Sequence, residues 1–294
     1  MKLDKNFLIA LIISGIFGAG CAALPSAVSS LPAVTASAMP AAEIAQKVGS
    51  KAWDASKEIS DSEEYYLGRG VAVRILSQYP LSKDQDLTTY VNEVGQTVAK
   101  KSTRPRTYKG YHFAVLESST PNSFACPGGI IFITKGMIKT CGNEDQLAAV
   151  LAHEVGHVAN RDGISAIKQS RWTEVATTAG AEAAKKYGGS VGQLVARFEG
   201  SIDDVFKTVI VNGYSRAAEE NADRAGVEMM KRAAYNPAAM VAILTSMGSR
   251  GGSGGILGTH PAVTDRVENI KAIAQPENTQ MEPVRTKRFQ AQKV

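Results

Sequence analysis

The five residues His153-Glu154-Val155-Gly156-His157 constrain the fold of this chain more than any other feature of the sequence. They lie in an apolar run with helical spacing, made of Leu147, Val150, Leu151, Val155 and Val158. Positions i and i+4 of a helix share one face, so two imidazoles can bind one Zn²⁺ while the glutamate stands beside a bound water. The HExxH motif therefore predicts a metal-binding helix that needs a further ligand from elsewhere in the chain.

A hydrolytic zinc site takes three protein ligands and leaves the fourth position to water. We predict that Glu219 is the third ligand, because Glu219 and Asp223 lie at i and i+4 on one predicted helix. Small residues such as Ala222 and Gly226 would let this helix approach the motif helix closely. A glutamate on an alanine-rich helix is otherwise a solvated charge, and the HExxH motif is what favours ligation.

Four segments together resemble a known family. They are Asn122 to Gly129, the HExxH motif, Ser215 to Asp223, and Thr259-His260-Pro261 with Arg266. Over roughly residues 63–274 the chain is similar to the HtpX-like and CAAX-prenyl-protease-related gluzincin metalloendopeptidases, family forty-eight of the metallopeptidases. The resemblance implies that His153, His157 and Glu219 bind one zinc ion per chain. It further implies that Glu154 is the catalytic base and that Asp223 orients a histidine ligand.

The predicted fold class is α+β and mostly helical, and the resemblance implies a zincin-like metallopeptidase domain with one small sheet packed on the motif helix. Periodicity predicts one helix from Ser62 to Gln78 and another through Leu87 to Val98, capped by Asp84 or Asp86. Strands are expected at 111–116 and 129–134, and helices dominate from Asn143 to Ala274. The strand after Pro127-Gly128-Gly129 is either an edge to which substrate adds or the continuation of a plain turn.

The N-terminal region indicates export. Residues 1–20 have the basic start and apolar run of a signal peptide, and Cys21 follows small residues as at a bacterial lipoprotein cleavage site. Cleavage after Ala38 and an uncleaved anchor remain alternatives. Residues 21–46 are predicted to be a lipid attachment site with a flexible tether, 47–274 the zinc metallopeptidase domain, and 275–294 a basic flexible tail. This organisation predicts that the protein is periplasmic and attached to a bacterial outer membrane as a lipoprotein.

The net charge of +5 and the pI of about 9.0 at first suggest a polyanionic partner. More than half of this charge, however, lies in residues 1–38 and 275–294, and no clustered basic residues with interleaved aromatics follow in the body. We therefore expect no nucleic-acid partner.

Cys126 and Cys141 form an even pair that invites a disulfide in an oxidising compartment, and two separate buried thiols are the alternative.

Three residues are candidates for a second donor to the oxyanion of the reaction: His260, Tyr214 and Arg266. His260 follows a glycine-rich loop, so it is also a candidate to cover the open metal position and keep the enzyme latent, or simply to hold the last helix in place. Residues 164–211 separate the ligands and are expected to wrap the cleft by packing, or to act as a lid.

The predicted function is a zinc metalloendopeptidase that cleaves unfolded or misassembled envelope proteins, with quality control implied by the resemblance alone. A chaperone or assembly factor with latent or rare proteolysis is the main alternative. A zinc hydrolase of peptidoglycan peptides is a third. The expected partners are unfolded protein substrates and a membrane reached through the lipid anchor, and the sequence leaves the oligomeric state open.

Overall fold

The structure is a computed structural model that describes Gln46 and residues 48–52, 56, 58–166, 168–169, 213–249, 260 and 263–292. The chain divides into two compact units, Met1–Glu58 with Lys168–Gly200 and Ile59–Ile167 with Ser201–Val294. In the first unit, the Lys168 ammonium lies 2.9 Å from the Glu58 carboxylate. Every other contact described below lies within the second unit.

The second unit is mostly helical with a small three-stranded sheet, as predicted. Its helices are α1 (Asp61–Leu76), α2 (Gln85–Ala99), α3 (Lys135–Thr140), α4 (Glu144–Asn160), α5 (Arg216–Arg232), α6 (Ala238–Ser249), α7 (Val263–Lys271) and α8 (Glu282–Gln290). Its strands are β1 (His112–Leu116), β2 (Ser123–Cys126) and β3 (Ile130–Thr134), and short 3₁₀ turns lie at Pro127–Gly129 and Thr279–Met281. The α+β zincin-like fold class is therefore confirmed.

Side-chain caps explain where the first helices begin. Ser60 and Glu63 form a capping box at the start of α1, and each side chain binds the backbone N–H of the other. Asp84 caps α2 by accepting a hydrogen bond of 2.9 Å from the Leu87 backbone, so Asp84 and not Asp86 is the cap. The two predicted helices in this region are confirmed to within about two residues, the usual uncertainty at frayed ends.

The sheet has the strand order β1-β3-β2, with β3 parallel to β1 and antiparallel to β2. The prediction that the strand after Pro127-Gly128-Gly129 is an edge is wrong, because β3 is paired on both sides. β2 is not predicted from the sequence, since its four residues are all buried and show no polar alternation. Among the described residues, the β2 side of the sheet is the free edge, while Leu81 pairs with Leu116 on the β1 side.

The motif helix α4 lies at the centre of the main hydrophobic core, against α2, α5, α6, α8 and β2. Two glycines allow its closest approaches to the neighbouring helices. A Cβ on Gly156 would lie 2.8 Å from the Ala222 carbonyl oxygen of α5, and a Cβ on Gly226 of α5 would lie 3.3 Å from the His153 backbone nitrogen of α4. The predicted close approach of α4 and α5 is therefore present.

The predicted flexible tail is wrong for residues 279–290, which form a 3₁₀ turn and the helix α8. Arg285 is buried and its Nε donates to the Asp145 carboxylate at 2.9 Å, while Phe289 packs against the main core. Arg285 and Arg288 pair with carboxylates at the start of α4, far away in sequence, whereas Lys287 is exposed. Helical periodicity does not reveal partners at that separation.

Of the two alternatives for the cysteines, the disulfide is wrong: Cys126 and Cys141 are both buried and no disulfide joins them. Cys126 ends β2 in a small cluster with Val71 and Phe124, whereas Cys141 follows α3 in the main core. The two thiols therefore belong to different apolar clusters and each packs as a small apolar side chain.

Within the described part of the chain, no helix combines the length and the apolar character that crossing a membrane requires. Several predictions fall outside the described residues. They concern the signal peptide at 1–20, the lipid attachment at Cys21, the tether that follows, the glycine-rich loop at 250–255 and most of 164–211.

Candidate metal centre

Helix α4 brings the two motif histidines together. The Nε2 atoms of His153 and His157 lie 3.1 Å apart, and the two rings are nearly perpendicular at 86°. Both side chains are buried, because the face of α4 that carries them points into the contact with α5. The i, i+4 spacing of the motif thus places two imidazole nitrogens at one point.

Glu219 reaches the same point from the first turn of α5, which Ser215 caps. Its two carboxylate oxygens lie 3.5 Å from Nε2 of His153 and 3.3 Å from Nε2 of His157. Burial by itself raises the pKa of this carboxyl, but the imidazoles of His260, His153 and His157 hold the pKa of Glu219 well below its usual range. Glu219 is therefore an anion in contact with both histidines.

Each motif histidine also has a carboxylate at its other ring nitrogen. Nδ1 of His153 lies 2.8 Å from the Asp223 carboxylate, and Nδ1 of His157 lies 2.8 Å from that of Asp162. A carboxylate accepts a hydrogen bond from Nδ1–H, so this arrangement selects the tautomer whose Nε2 carries a lone pair. Asp223 stands where the sequence predicts it, whereas Asp162 is not predicted.

These contacts test whether the site fits a cation. With both Nδ1 atoms donating, two Nε2 lone pairs face each other at 3.1 Å, next to the Glu219 anion. Two nitrogen lone pairs and a carboxylate this close together repel one another unless a proton or a metal ion lies among them. Burial and the Arg266 charge act against protonation, yet Asp223 and Glu219 raise the pKa of His153 to about 10. Two imidazoles and one carboxylate are also the donor set of hydrolytic zinc enzymes, so the residues fit a divalent metal ion.

His260 lies among these ligands and not beside them. Its Nδ1 is 2.9 Å from the Glu219 carboxylate and 3.2 Å from Nε2 of His153. One ligand atom from each of His153, His157, Glu219 and His260 lies within 4.8 Å of the others, and all four residues are buried. Of the roles predicted for His260, this position agrees best with covering a fourth metal position.

Glu154 is fully buried next to the four donors. Ser123 Oγ donates a hydrogen bond of 2.7 Å to Oε1 of Glu154, and Nε2 of His260 lies 3.6 Å from the same oxygen. The second oxygen, Oε2, has no hydrogen-bond partner among the described residues. Glu154 therefore has one anchored oxygen and one that is available as a proton acceptor. Ser123 is not predicted as a site residue, because the strand that positions it is not predicted either.

Arg266 and Tyr214 support the ligands in this structure. All three guanidinium nitrogens of Arg266 are engaged: Nε and Nη2 lie 2.7 Å from the Asp223 oxygens, and Nη1 lies 2.8 Å from Glu219. The Tyr214 ring stacks on His157 with ring centroids 4.1 Å apart, and its hydroxyl donates to the Ala125 carbonyl at 3.3 Å. Two of the three donors predicted for the oxyanion, Tyr214 and Arg266, thus already bind protein acceptors.

A small, mostly apolar pocket opens beside His153 and Glu154. Its lining residues are Ser123, Met137, Val150, Met240, Ile243, Leu244, Met247, His260 and Arg266, in addition to His153 and Glu154. Most of the apolar wall comes from α6, which packs against α4. The site thus combines a polar centre with an adjacent apolar wall.

Comparison with known proteins agrees with this geometry. Residues 85–274 match peptidase family M48. The chain is 25% identical to the beta-barrel assembly-enhancing protease of Escherichia coli (strain K12) over 288 residues, which cover 96% of this chain and 54% of that protein. It is 29% identical to the mitochondrial metalloendopeptidase OMA1 of Schizosaccharomyces pombe over 161 residues, 53% of this chain and 44% of that one. Metalloprotease YcaL of Escherichia coli (strain K12) is 25% identical over 162 residues, 54% of this chain and 61% of YcaL.

The chain spans about half the length of the curated relatives it matches. The family match nevertheless includes the HExxH motif, Glu219, Asp223, His260 and Arg266. Because this match extends over more than half of the sequence, the chain belongs to peptidase family M48 and is a metallopeptidase.

Proposed function

We propose that this protein is a zinc-dependent endopeptidase that hydrolyses extended segments of unfolded or misassembled envelope proteins. The observation that carries the proposal is the Glu154 carboxylate, which is buried beside the converging nitrogens and has Oε2 without a partner among the described residues. A general base needs this combination of a fixed position and an available acceptor oxygen.

A zinc ion held by His153, His157 and Glu219 would supply Lewis acidity and lower the pKa of a water molecule in the site. The protein provides the proton transfers. Glu154, oriented by the Ser123 hydroxyl at 2.7 Å, accepts the proton of the attacking water and passes it to the leaving amine. Asp223 and Asp162 keep the two imidazoles in the tautomer that presents Nε2 to the centre.

Two features support extended, apolar substrates. β2 is a sheet edge that carries Ser123 next to Glu154, so a substrate strand that pairs with β2 would run past the catalytic carboxylate. Such pairing reads the backbone more than the side chains. The adjacent pocket has a mostly apolar wall, which would contact the apolar side chains that unfolded proteins expose and folded proteins bury. Loose sequence preference and selection for unfolded chains follow from this combination.

We place the protein in the bacterial periplasm, attached to the outer membrane through a lipid on Cys21. The support is the signal-like sequence before Cys21 and the names of several relatives, which refer to β-barrel assembly. Metabolic labelling with a radioactive fatty acid tests the attachment. Label in the wild type and its loss in Cys21→Ser is the expected result, and an unlabelled wild type would contradict it.

The main test compares the wild type with Glu154→Gln for bound zinc and for casein cleavage. The substitution keeps the size of the side chain and removes its basicity, so we expect zinc to be retained and cleavage to fall by about 100-fold or more. Glu228→Gln, a change at an exposed position of α5, is the matched control. Equal cleavage by the wild type and Glu154→Gln would contradict the assigned role.

The position of His260 favours a second candidate function, a chaperone or assembly factor whose proteolysis is latent. If Nδ1 of His260 takes a fourth metal position, no position remains for water until His260 moves. His260→Ala should then increase casein cleavage, whereas a role in stabilising the oxyanion predicts a decrease. Unchanged cleavage and unchanged zinc affinity would remove both roles, and zinc without cleavage in the wild type would favour the chaperone.

A further inference from the structure

Glu64 is a fully buried carboxylate on α1, and it lies outside the segment that matches the peptidase family. Its two oxygens accept from a fork of Arg104 nitrogens, each at 2.9 Å. Arg161 Nη2 lies 3.0 Å from Oε2, and the Gly128 backbone N–H donates to Oε1 at 3.1 Å. Two cations and a backbone donor compensate this buried charge, and the loss of any of them would leave a desolvated group unpaired.

The contact with Arg161 leads directly to a metal ligand. Arg161 ends α4 in the left-handed region, with φ of 58°, and this reversal turns the next residue back towards the helix. That next residue is Asp162, whose carboxylate lies 2.8 Å from Nδ1 of His157. The guanidinium of Arg161 also donates to the Ile59 carbonyl at 2.7 Å, so Glu64 and Ile59 together fix the turn that carries Asp162.

The contact with Gly128 leads to the catalytic base. Gly128 has φ of 77° in the 3₁₀ turn that follows β2, and a Cβ at this position would lie 2.7 Å from the Tyr65 Cα atom. The turn therefore lies directly against α1, where Glu64 accepts its N–H group. β2 carries Ser123 at its other end, and Ser123 anchors Glu154.

We propose that Glu64 is a positioning residue of the metal centre: through Arg161 and Asp162 it orients His157, and through Gly128 it fixes the strand that orients Glu154. This role rests on the proposed metal centre and adds to it a residue that touches neither the ligands nor the base. One carboxylate thus couples the two halves of the site, the ligand helix α4 and the edge strand β2.

A purely structural ion pair would stabilise the fold without affecting the metal. The experiment therefore measures three quantities for each variant: the Kd for Zn²⁺ by competition with a chromophoric chelator, the visible absorption of the Co²⁺-substituted protein, and the Tm of the metal-free protein. Partners of ligating histidines change metal affinity by about 10–100-fold, so a residue one contact further away should change it by less. We expect Glu64→Gln to raise the Kd about tenfold and to shift the Co²⁺ spectrum.

Arg161→Gly is the second variant, chosen because glycine adopts a φ of 58° without strain while the guanidinium is lost. The Arg161 side chain is 34% exposed, so this protein should fold even if Glu64→Gln does not. We expect the Kd for Zn²⁺ to rise about three- to tenfold. Glu228→Gln is the control: it changes an exposed carboxylate of α5 that pairs with Lys231, and its Kd should stay within about twofold of the wild type.

Wild-type Kd values and wild-type Co²⁺ spectra in both Glu64→Gln and Arg161→Gly would overturn the proposal, whatever happens to Tm. A raised Kd in Arg161→Gly alone, with Glu64→Gln unfolded, supports it, because the shared contact is then lost in a folded protein. The proposed function has its own test. A wild-type protein that binds zinc and shows a normal Co²⁺ spectrum but does not cleave casein would contradict the proposed function alone. A wild type that binds no divalent metal would overturn both.

Discussion

The two ends of the motif helix α4 are held by similar chemistry, yet only one end leads to the metal centre. At the N-terminal end, Asp145 pairs with Arg285 of α8 at 2.8 Å. At the C-terminal end, Arg161 pairs with Glu64 at 3.0 Å, and the next residue contacts a ligand histidine. Asp145 precedes the first ligand by more than two helical turns, whereas Arg161 follows the last ligand by about one. Buried arginine–carboxylate pairs on one helix can therefore serve stability or geometry, depending on what the next residue touches.

The carboxylates at the N-terminal end of α4 have many hydrogen-bond and ion-pair partners. Glu144 accepts from the hydroxyl of Tyr90 at 2.8 Å, from that of Tyr235 at 3.1 Å and from the guanidinium of Arg288. Burial and the Glu144 charge raise the pKa of both tyrosines, so these hydroxyls remain donors. Carboxylates at a helix N-terminus also interact favourably with the helix dipole. None of these partners contacts a metal ligand, so this end should contribute to folding alone.

Deletion of residues 275–294 is the largest change that tests whether the two ends of α4 have different roles. It removes α8 and leaves Glu144 and Asp145 buried without their arginine partners. We expect the free energy of unfolding to fall by about 5 kcal/mol, a large part of the stability of an ordinary domain. Urea denaturation of the metal-free protein measures this loss. A truncated protein as stable as the full chain would mean that the segment is the dispensable tail predicted from the sequence.

A single substitution, Arg285→Met, tests the same end with less disruption. It leaves the Asp145 carboxylate buried and without its charged partner, which should cost about 3–5 kcal/mol. The Kd for Zn²⁺, measured where the protein is still folded, should match that of the wild type. Lys287→Met on the same helix is the control, since Lys287 is exposed. A raised Kd in Arg285→Met would show that the N-terminal end also affects the metal.

The contrast between the ends also separates what the sequence predicts from what it does not. The candidate ligands His153, His157 and Glu219 and the support from Asp223 are predicted from i, i+4 spacing on two helices, which is a local pattern. Asp162 escapes prediction because it acts only when the preceding arginine adopts a left-handed conformation that nothing in the local pattern requires.

Ser123 and α8 escape prediction for a related reason. Each depends on which distant segment it packs against: Ser123 on Glu154, and α8 on the start of α4. The apolar periodicity of a segment identifies its buried face but not the partner that covers it. The charge pattern of residues 275–294 is compatible with a solvated tail and with a docked helix alike, and only the carboxylates of α4 decide between them.

Asp162→Asn tests the C-terminal end of α4 at the residue that contacts His157 directly. The amide keeps the size of the side chain but is a weaker acceptor for Nδ1–H of His157. We expect a Kd for Zn²⁺ raised by about 10–100-fold, equivalent to about 1.4–2.7 kcal/mol, with little change in the stability of the metal-free protein. Competition with a chelator measures the first quantity and urea denaturation the second. A large loss of metal-free stability with an unchanged Kd would reverse the assignment of the two ends.

The smallest expected effect is the coupling between the ends, and it is the sharpest test of their independence. Arg285→Met and Arg161→Gly change residues with no shared partner, at opposite ends of the 17-residue helix α4. For such sites the losses in unfolding free energy add to within about 0.3–0.5 kcal/mol. The double variant should therefore show the sum of the two single losses, and its Kd for Zn²⁺ should equal that of Arg161→Gly alone. A deviation of about 1 kcal/mol or more from this sum would mean that α4 transmits strain along its length. The conformations of the two ends of the helix would then change together. In that case the docking of α8 would regulate the metal centre, and the division of the molecule into a stabilising end and a geometric end would not hold.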